Sequence, residues 1–135
     1  MKKFLFLVLM LNLIAWTPLP AQTQSKKLEV FYFHGTRRCP TCMAIEANTR
    51  KTLDTYFAGQ VKSGAIRMTV IDVDDPKNKA IAERYEAAGS ALFVTVNPGE
   101  KEKRNDMTEF AFSCARSNPT KFMSGLKDKI RELLK

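Results

Sequence analysis

"LEVFYFHGTRRCPTC", Leu28–Cys42, is the stretch that decides the fold. Its first half is apolar and aromatic, carries β-branched Val30 and stops abruptly at Gly35, as a buried strand does. Its second half is a short basic loop, Gly35–Arg38, followed by two cysteines two residues apart. That spacing fits a redox couple, half of a metal site or an inert disulfide, and the surrounding chain has to choose among them.

After Pro40 the pattern becomes helical. Cys42, Ile45, Thr49, Leu53, Tyr56 and Phe57 recur at three or four residues, with Glu46, Arg50, Lys51 and Asp54 between them and Gly59 as the expected stop. Cys39 then falls at the helix start. There the unpaired backbone N–H groups and the positive end of the helix dipole favour a thiolate over a thiol. Pro40 suits the first helical position, because the N–H it lacks would have been orphaned there. Arg37 and Arg38 add positive charge. Together these effects lower a cysteine from its usual value of about 8.5, so Cys39 is the expected nucleophile. Cys42, one turn deeper, is the expected resolving thiol, and exchange through a mixed disulfide needs no cofactor. Arg38, Pro40 and Thr41 are the residues expected to tune the thiolate.

Downstream, Ile66–Asp72 reads as a second strand and "DDPKN" as a turn, followed by a short helix in "KAIAERYEAAG" closed by Gly89. "ALFVTV" is a third strand, and "NPGE" turns the chain into a short fourth strand around Lys101–Asn105. The remainder is helical in two pieces broken at "SNP", the last carrying the stripe Phe122, Leu126, Ile130 and Leu133. The expected fold is α/β: a small mixed sheet flanked by helices, in the order β-α-β-α-β-β-α. The helices between the first three strands predict parallel crossovers, and the turn-linked fourth strand predicts an antiparallel edge.

At the N-terminus, Lys2 and Lys3 precede the apolar run "FLFLVLMLNLIAW" and "TPLPAQ". The run falls short of the roughly 20 residues of a membrane-spanning helix, so residues 1–21 read as a signal peptide cleaved after Ala21. A signal-anchored membrane form is the alternative. Residues 22–27 form a polar lead-in, and residues 28–135 one domain. The expected location is the bacterial periplasm, where disulfides persist. The formal charge of the whole chain is +8. Its basic residues are scattered or lie on one face of the last helix, and an exported protein rarely meets nucleic acid, so no nucleic-acid partner is expected.

The strand, loop, CxxC and helix, together with "YEAAGSALFVTVNPGE" from Tyr85 to Glu100, resemble the thioredoxin-like superfamily over roughly residues 27–135. The resemblance implies a thioredoxin-like fold and thiol–disulfide exchange with protein thiols or disulfides, through a membrane or periplasmic redox partner. It also implies a docking edge at Ser90 and Ala91. Ala91 stands where such proteins carry a cis-proline, and a trans Ser90–Ala91 bond is expected because a cis bond without proline costs about 2.5–4 kcal/mol. The first strand offers no buried acid after Glu29, leaving His34 as the candidate proton acceptor, and Arg38 replaces the usual tryptophan. "VFYFHGTRRCPTCMAIE" with "NDMTEFAFSCAR" further resembles small exported bacterial proteins of the nitrophenyl-compound nitroreductase subunit ArsF family. That family name implies a nitroreductase partner. Nothing in the chain resembles a flavin or nicotinamide site, so electrons would pass through thiols.

Two alternatives use the same sulfurs. A structural zinc site needs about four ligands, and beyond Cys39 and Cys42 the remaining candidates are Cys114 and His34; copper fits better, since Cys39, Cys42 and Met43 or His34 offer soft donors. An accessory subunit would keep the disulfide as a structural brace. His34 at a strand end reads first as a packed residue. Cys114 follows Met107 and Phe110 at helical spacing and reads as a buried, inert thiol.

Overall fold

The computed structural model describes residues 26–99 and 101–135. The leader assigned to residues 1–21 and all but the end of the polar lead-in lie outside the described residues. Strand β1, Leu28–His34, is buried on both faces, which is why its sequence is an almost unbroken apolar run. Leu28, Val30 and Tyr32 enter one core, and Phe31 and Phe33 enter another. The chain continues through α1 (Pro40–Tyr56), α2 (Ala58–Ser63), β2 (Ile66–Asp72), a 3₁₀ turn (Pro76–Asn78), α3 (Lys79–Arg84), β3 (Ala91–Val96), β4 (Lys103–Asp106), α4 (Thr108–Cys114) and α5 (Pro119–Leu134).

The four strands form one mixed sheet in the order β2-β1-β3-β4, flanked by helices in a thioredoxin-like α/β arrangement. Its larger core joins Val30, Tyr32, Leu92 and Val94 of the sheet to Ile45 and Leu53 of α1, Ala111 of α4, and Phe122, Leu126, Ile130 and Leu133 of α5. The α5 stripe read from the sequence is therefore buried. The smaller core is aromatic: Tyr85, just after α3, sits 5.3 Å from the Phe33 ring and 5.1 Å from that of Phe93. Among the described residues no helix is long and apolar enough to cross a membrane.

Four expectations are corrected. Parallel pairing holds for β1 with β2, but β3 runs antiparallel to β1, as β4 does to β3. The six residues of α3 span about 9 Å, too little to carry the chain back along a seven-residue strand of about 23 Å, so β3 starts at the end of the sheet where β2 stops. Helix α1 does not run on to a stop at Gly59. Phe57 leaves helical geometry to bury its ring, α2 resumes through Gly59, and Gly64 at φ +78° makes the true stop. Gly89 does not close α3 either. Glu86 takes the left-handed conformation, φ 53°, while Ala87 N–H donates to Ala82 O and Glu86 N–H to Glu83 O, the paired bonds of a Schellman cap. Tyr56, placed on the buried face of α1 by its spacing, is exposed and carries the Lys127 ammonium over its ring.

Candidate functional site

The loop between β1 and α1 is held by carboxylates from the far end of β2. Thr36 N–H donates to Asp74 Oδ2 at 2.7 Å, and Thr36 Oγ1 donates to Asp72 Oδ2 at 3.2 Å. Asp72 also accepts from Asp74 N–H at 3.0 Å, so the two acids form one rigid corner. At Gly35 a Cβ would lie 3.2 Å from Asp74 Oδ2, and glycine there permits the close approach. The clamp fixes where the chain enters α1, and with it the position of Cys39.

Cys39 is the N-cap of α1, with extended backbone (φ −79°, ψ 160°), and Pro40 is the first helical residue. Cys39 Sγ accepts the Cys42 backbone N–H at 3.0 Å, and Cys39 O accepts Met43 N–H at 3.0 Å. A sulfur thus occupies the place where Ser or Asp oxygen usually satisfies an orphan helix donor. The first turn contains no acidic residue to offset the positive end of the dipole. Cys39 and Cys42 are joined as a disulfide, with Cα atoms 5.0 Å apart. Their exposure is unequal: Cys39 and Pro40 face solvent, Thr41 is half-buried, and Cys42 is 7% exposed.

Beneath the pair, the fully buried Tyr32 donates its hydroxyl to Cys42 O at 2.7 Å, tying β1 to the first turn of α1. The Arg38 guanidinium lies over the Tyr32 ring, 5.6 Å from its centroid, and pairs with Glu46 Oε2. Glu46 Oε1 accepts from Arg50 Nε at 3.0 Å and Nη2 at 2.8 Å. Burial alone would push the Glu46 carboxyl up, but the hydrogen bonds from Arg50 and Arg38 outweigh it and hold the group below the usual carboxylate range. Burial opposes the Arg38 charge, and the bonds to Glu46 and the contact with Tyr32 overturn that effect and keep it fixed. Arg37, by contrast, is a solvated loop charge.

The His34 ring lies 5.9 Å from that of Tyr32, and its Nδ1–H donates to Gly35 O at 2.9 Å, leaving Nε2 as an acceptor when the ring is neutral. The Ser90–Ala91 peptide is trans. Ala91 opposes Phe33 in the β1–β3 ladder, so Ser90 and Ala91 lie at the same end of the sheet as the cysteine loop. Ala91 packs toward the aromatic core and, with Ser90 and Thr108, lines a cavity of about 490 Å³. Cys114 stays apart: it is buried on α4, and its Sγ donates to Phe110 O at 3.1 Å. Among the described residues no group of three His, Cys, Asp or Glu is placed to hold a metal ion, so no third donor of these types joins Cys39 and Cys42.

Of the residues gathered here, Cys39, Cys42 and Arg38 were singled out from the sequence, and Tyr32, Glu46, Asp72 and Asp74 were not. Only the Glu46–Arg50 pair had a readable signal, the i,i+4 spacing of opposite charges on a helix.

No protein family matches the chain, and no curated protein does. Among solved structures, one described as "Structure of a malarial protein" aligns over 64% of this chain and 93% of that one, at 18% identity and a TM-score of 0.40. A likeness that loose carries no argument about fold or function.

Proposed function

We propose that the protein is an exported thiol–disulfide oxidoreductase in which Cys39 attacks and Cys42 resolves. The observation that carries the proposal is the unequal setting of the two sulfurs: Cys39 exposed at a helix N-cap with a backbone N–H aimed at its Sγ, Cys42 buried one turn below. In the reducing direction the Cys39 thiolate attacks one sulfur of a partner disulfide, forming a mixed disulfide and expelling the other partner sulfur as a thiolate. Cys42 gives up its proton to solvent and its sulfur attacks Cys39 Sγ, releasing the second partner sulfur. Two electrons have then moved to the partner, and the Cys39–Cys42 disulfide has formed. Oxidation of a dithiol runs the same steps backwards.

The leader-like residues 1–21 support export to the periplasm, where such a couple operates. The resemblance to the ArsF family makes a nitroreductase system one partner to assay, with thiols as the electron carriers. Replacing Cys42 with serine removes the resolving sulfur, so partners should accumulate on Cys39 as mixed disulfides that a reductant releases. No trapped species, together with a wild-type pair that never cycles between thiol and disulfide, sinks the proposal.

A further inference from the structure

The Arg38–Glu46–Arg50 cluster contributes nothing to either hydrophobic core, yet it is built with care. Arg38 immediately precedes Cys39, Glu46 lies one helical turn beyond Cys42, and one carboxylate receives both guanidinium groups. The Glu46 side chain is only 17% exposed. Arg38 Nε is buried without a hydrogen-bond partner among the described residues, so its guanidinium is held by Glu46 and by the Tyr32 ring and not by a full set of bonds. Tyr32 in turn holds the Cys42 carbonyl. The cluster therefore flanks the CPTC turn, Arg38 preceding Cys39 in the chain and resting on the Tyr32 ring whose hydroxyl holds Cys42.

We infer that Glu46 is a positioning residue for the Cys39 thiolate that acts through charge: by cancelling one of the two arginine charges of the cluster flanking the CPTC turn, it sets how much positive charge the thiolate senses. The inference rests on the proposed exchange chemistry for its purpose, but not for its test. The cluster carries a net charge of one, from Arg38 and Arg50 against Glu46. Other charged or titratable groups around the turn are Arg37 of the loop, His34 and Tyr32 of β1, and Asp72 and Asp74, whose carboxylates are engaged with Thr36. None of these shares a hydrogen bond or ion pair with Glu46.

A charge-setting role and a bracing role predict opposite signs. Glutamine at position 46 keeps an oxygen to receive an arginine while deleting the negative charge. Glu46→Gln should therefore increase the thiolate fraction of Cys39, and Arg38→Met should decrease it. At a pH below the thiol's midpoint, each change is worth roughly two- to fivefold in alkylation rate. The double variant Arg38→Met/Glu46→Gln restores the original net charge and should return near the wild-type rate. Arg50→Met, at an exposed position, provides a variant that leaves Arg38 in place, and it should also slow the reaction.

The test is the pH profile of iodoacetamide alkylation of reduced full-length protein. Cys39 is followed by mass spectrometry so that Cys42 and the buried Cys114 are counted separately, and thermal unfolding confirms that each variant is folded. Opposite shifts for Glu46→Gln and Arg38→Met that cancel in the double variant support the inference. Shifts of the same sign, or no shift for folded Glu46→Gln and Arg50→Met, overturn it. A cluster that behaves as described in a protein that nevertheless exchanges no disulfides would refute the proposed function and leave this inference standing.

Discussion

Removing one oxygen from the core beneath the cysteines should measurably loosen the start of α1. Tyr32→Phe keeps the ring that packs in the larger core and the surface on which the Arg38 guanidinium rests, and deletes only the hydroxyl that donates to Cys42 O at 2.7 Å. A typical intramolecular hydrogen bond contributes about 0.5–1.5 kcal/mol net. The larger penalty for an orphaned buried acceptor, about 1–3 kcal/mol, does not apply in full, because a carbonyl in the first turn can also accept a bond within the helix. The phenyl ring is less costly to bury than the phenol, which offsets a little more. The expected loss is about 1 kcal/mol, or a Tm lower by roughly 3–6 °C for a domain of this size. Urea unfolding of the oxidised protein, read by far-UV circular dichroism, would give that loss as a lower midpoint at unchanged m. An unchanged or higher midpoint would mean that the hydroxyl does not hold the helix start, and the linkage from β1 through Tyr32 to the redox turn would have to be abandoned.

Three further outcomes follow from the same geometry. Burial would raise the Glu102 carboxyl, but the arginine partners Arg104 and Arg84 hold it below the usual range. A depressed carboxyl stabilises the fold above its unfolded value of about 4.3 and loses that contribution as pH falls through the folded value. Glu102→Gln should therefore cost about 1–2 kcal/mol at neutral pH, discounted for two arginines that keep access to water, and should flatten the acid side of the stability curve. A parallel downward shift at every pH would contradict the linkage. Glu86→Gly should stabilise by about 0.5–1 kcal/mol in thermal unfolding, since glycine takes the φ of 53° at the end of α3 without the steric cost glutamate bears. A loss of stability there would point to an unseen role for the glutamate side chain. Gly125→Ala in α5 would place a Cβ 2.3 Å from Phe110 Cζ, against a ring stacked on Phe122. Overpacking of about 1–3 kcal/mol should outweigh the gain of about 1 kcal/mol from replacing glycine within a helix, and a higher Tm would contradict the packing of α4 on α5.

The parts legible in the sequence are those fixed by neighbours along the chain. An apolar run ending at Gly35, a proline after Cys39 and a three-to-four spacing from Cys42 onward place the sulfurs at a helix start, and that is where they are. The stripe of α5 and the short β4 were legible for the same reason. Direction was not. Whether β3 returns parallel or antiparallel depends on how far α3 carries the chain, and a pattern running from Lys79 to Gly89 looked longer than the six helical residues it yields. Helix ends misled wherever a residue other than the nearest glycine made the stop: Phe57 breaks α1 to fill the core, and Glu86 closes α3 at a positive φ. The supports of the site were hidden because they are tertiary. Thr36 meets Asp74 across 38 residues, and Arg38 meets Glu46 across eight, separations at which no periodic pattern speaks. Arg38 was visible as a charge beside Cys39, but the carboxylate that offsets it was not.

Cys39–Cys42 is proposed as an exchanging couple and not a brace. Its reduction potential, obtained by equilibrating the protein against glutathione or dithiothreitol buffers and quantifying the Cys39–Cys42 disulfide with Cys114 tracked separately, measures that claim directly. A value between about −270 and −120 mV is expected, the span of known exchangers, whereas a value below about −300 mV, the range of structural disulfides, would contradict it.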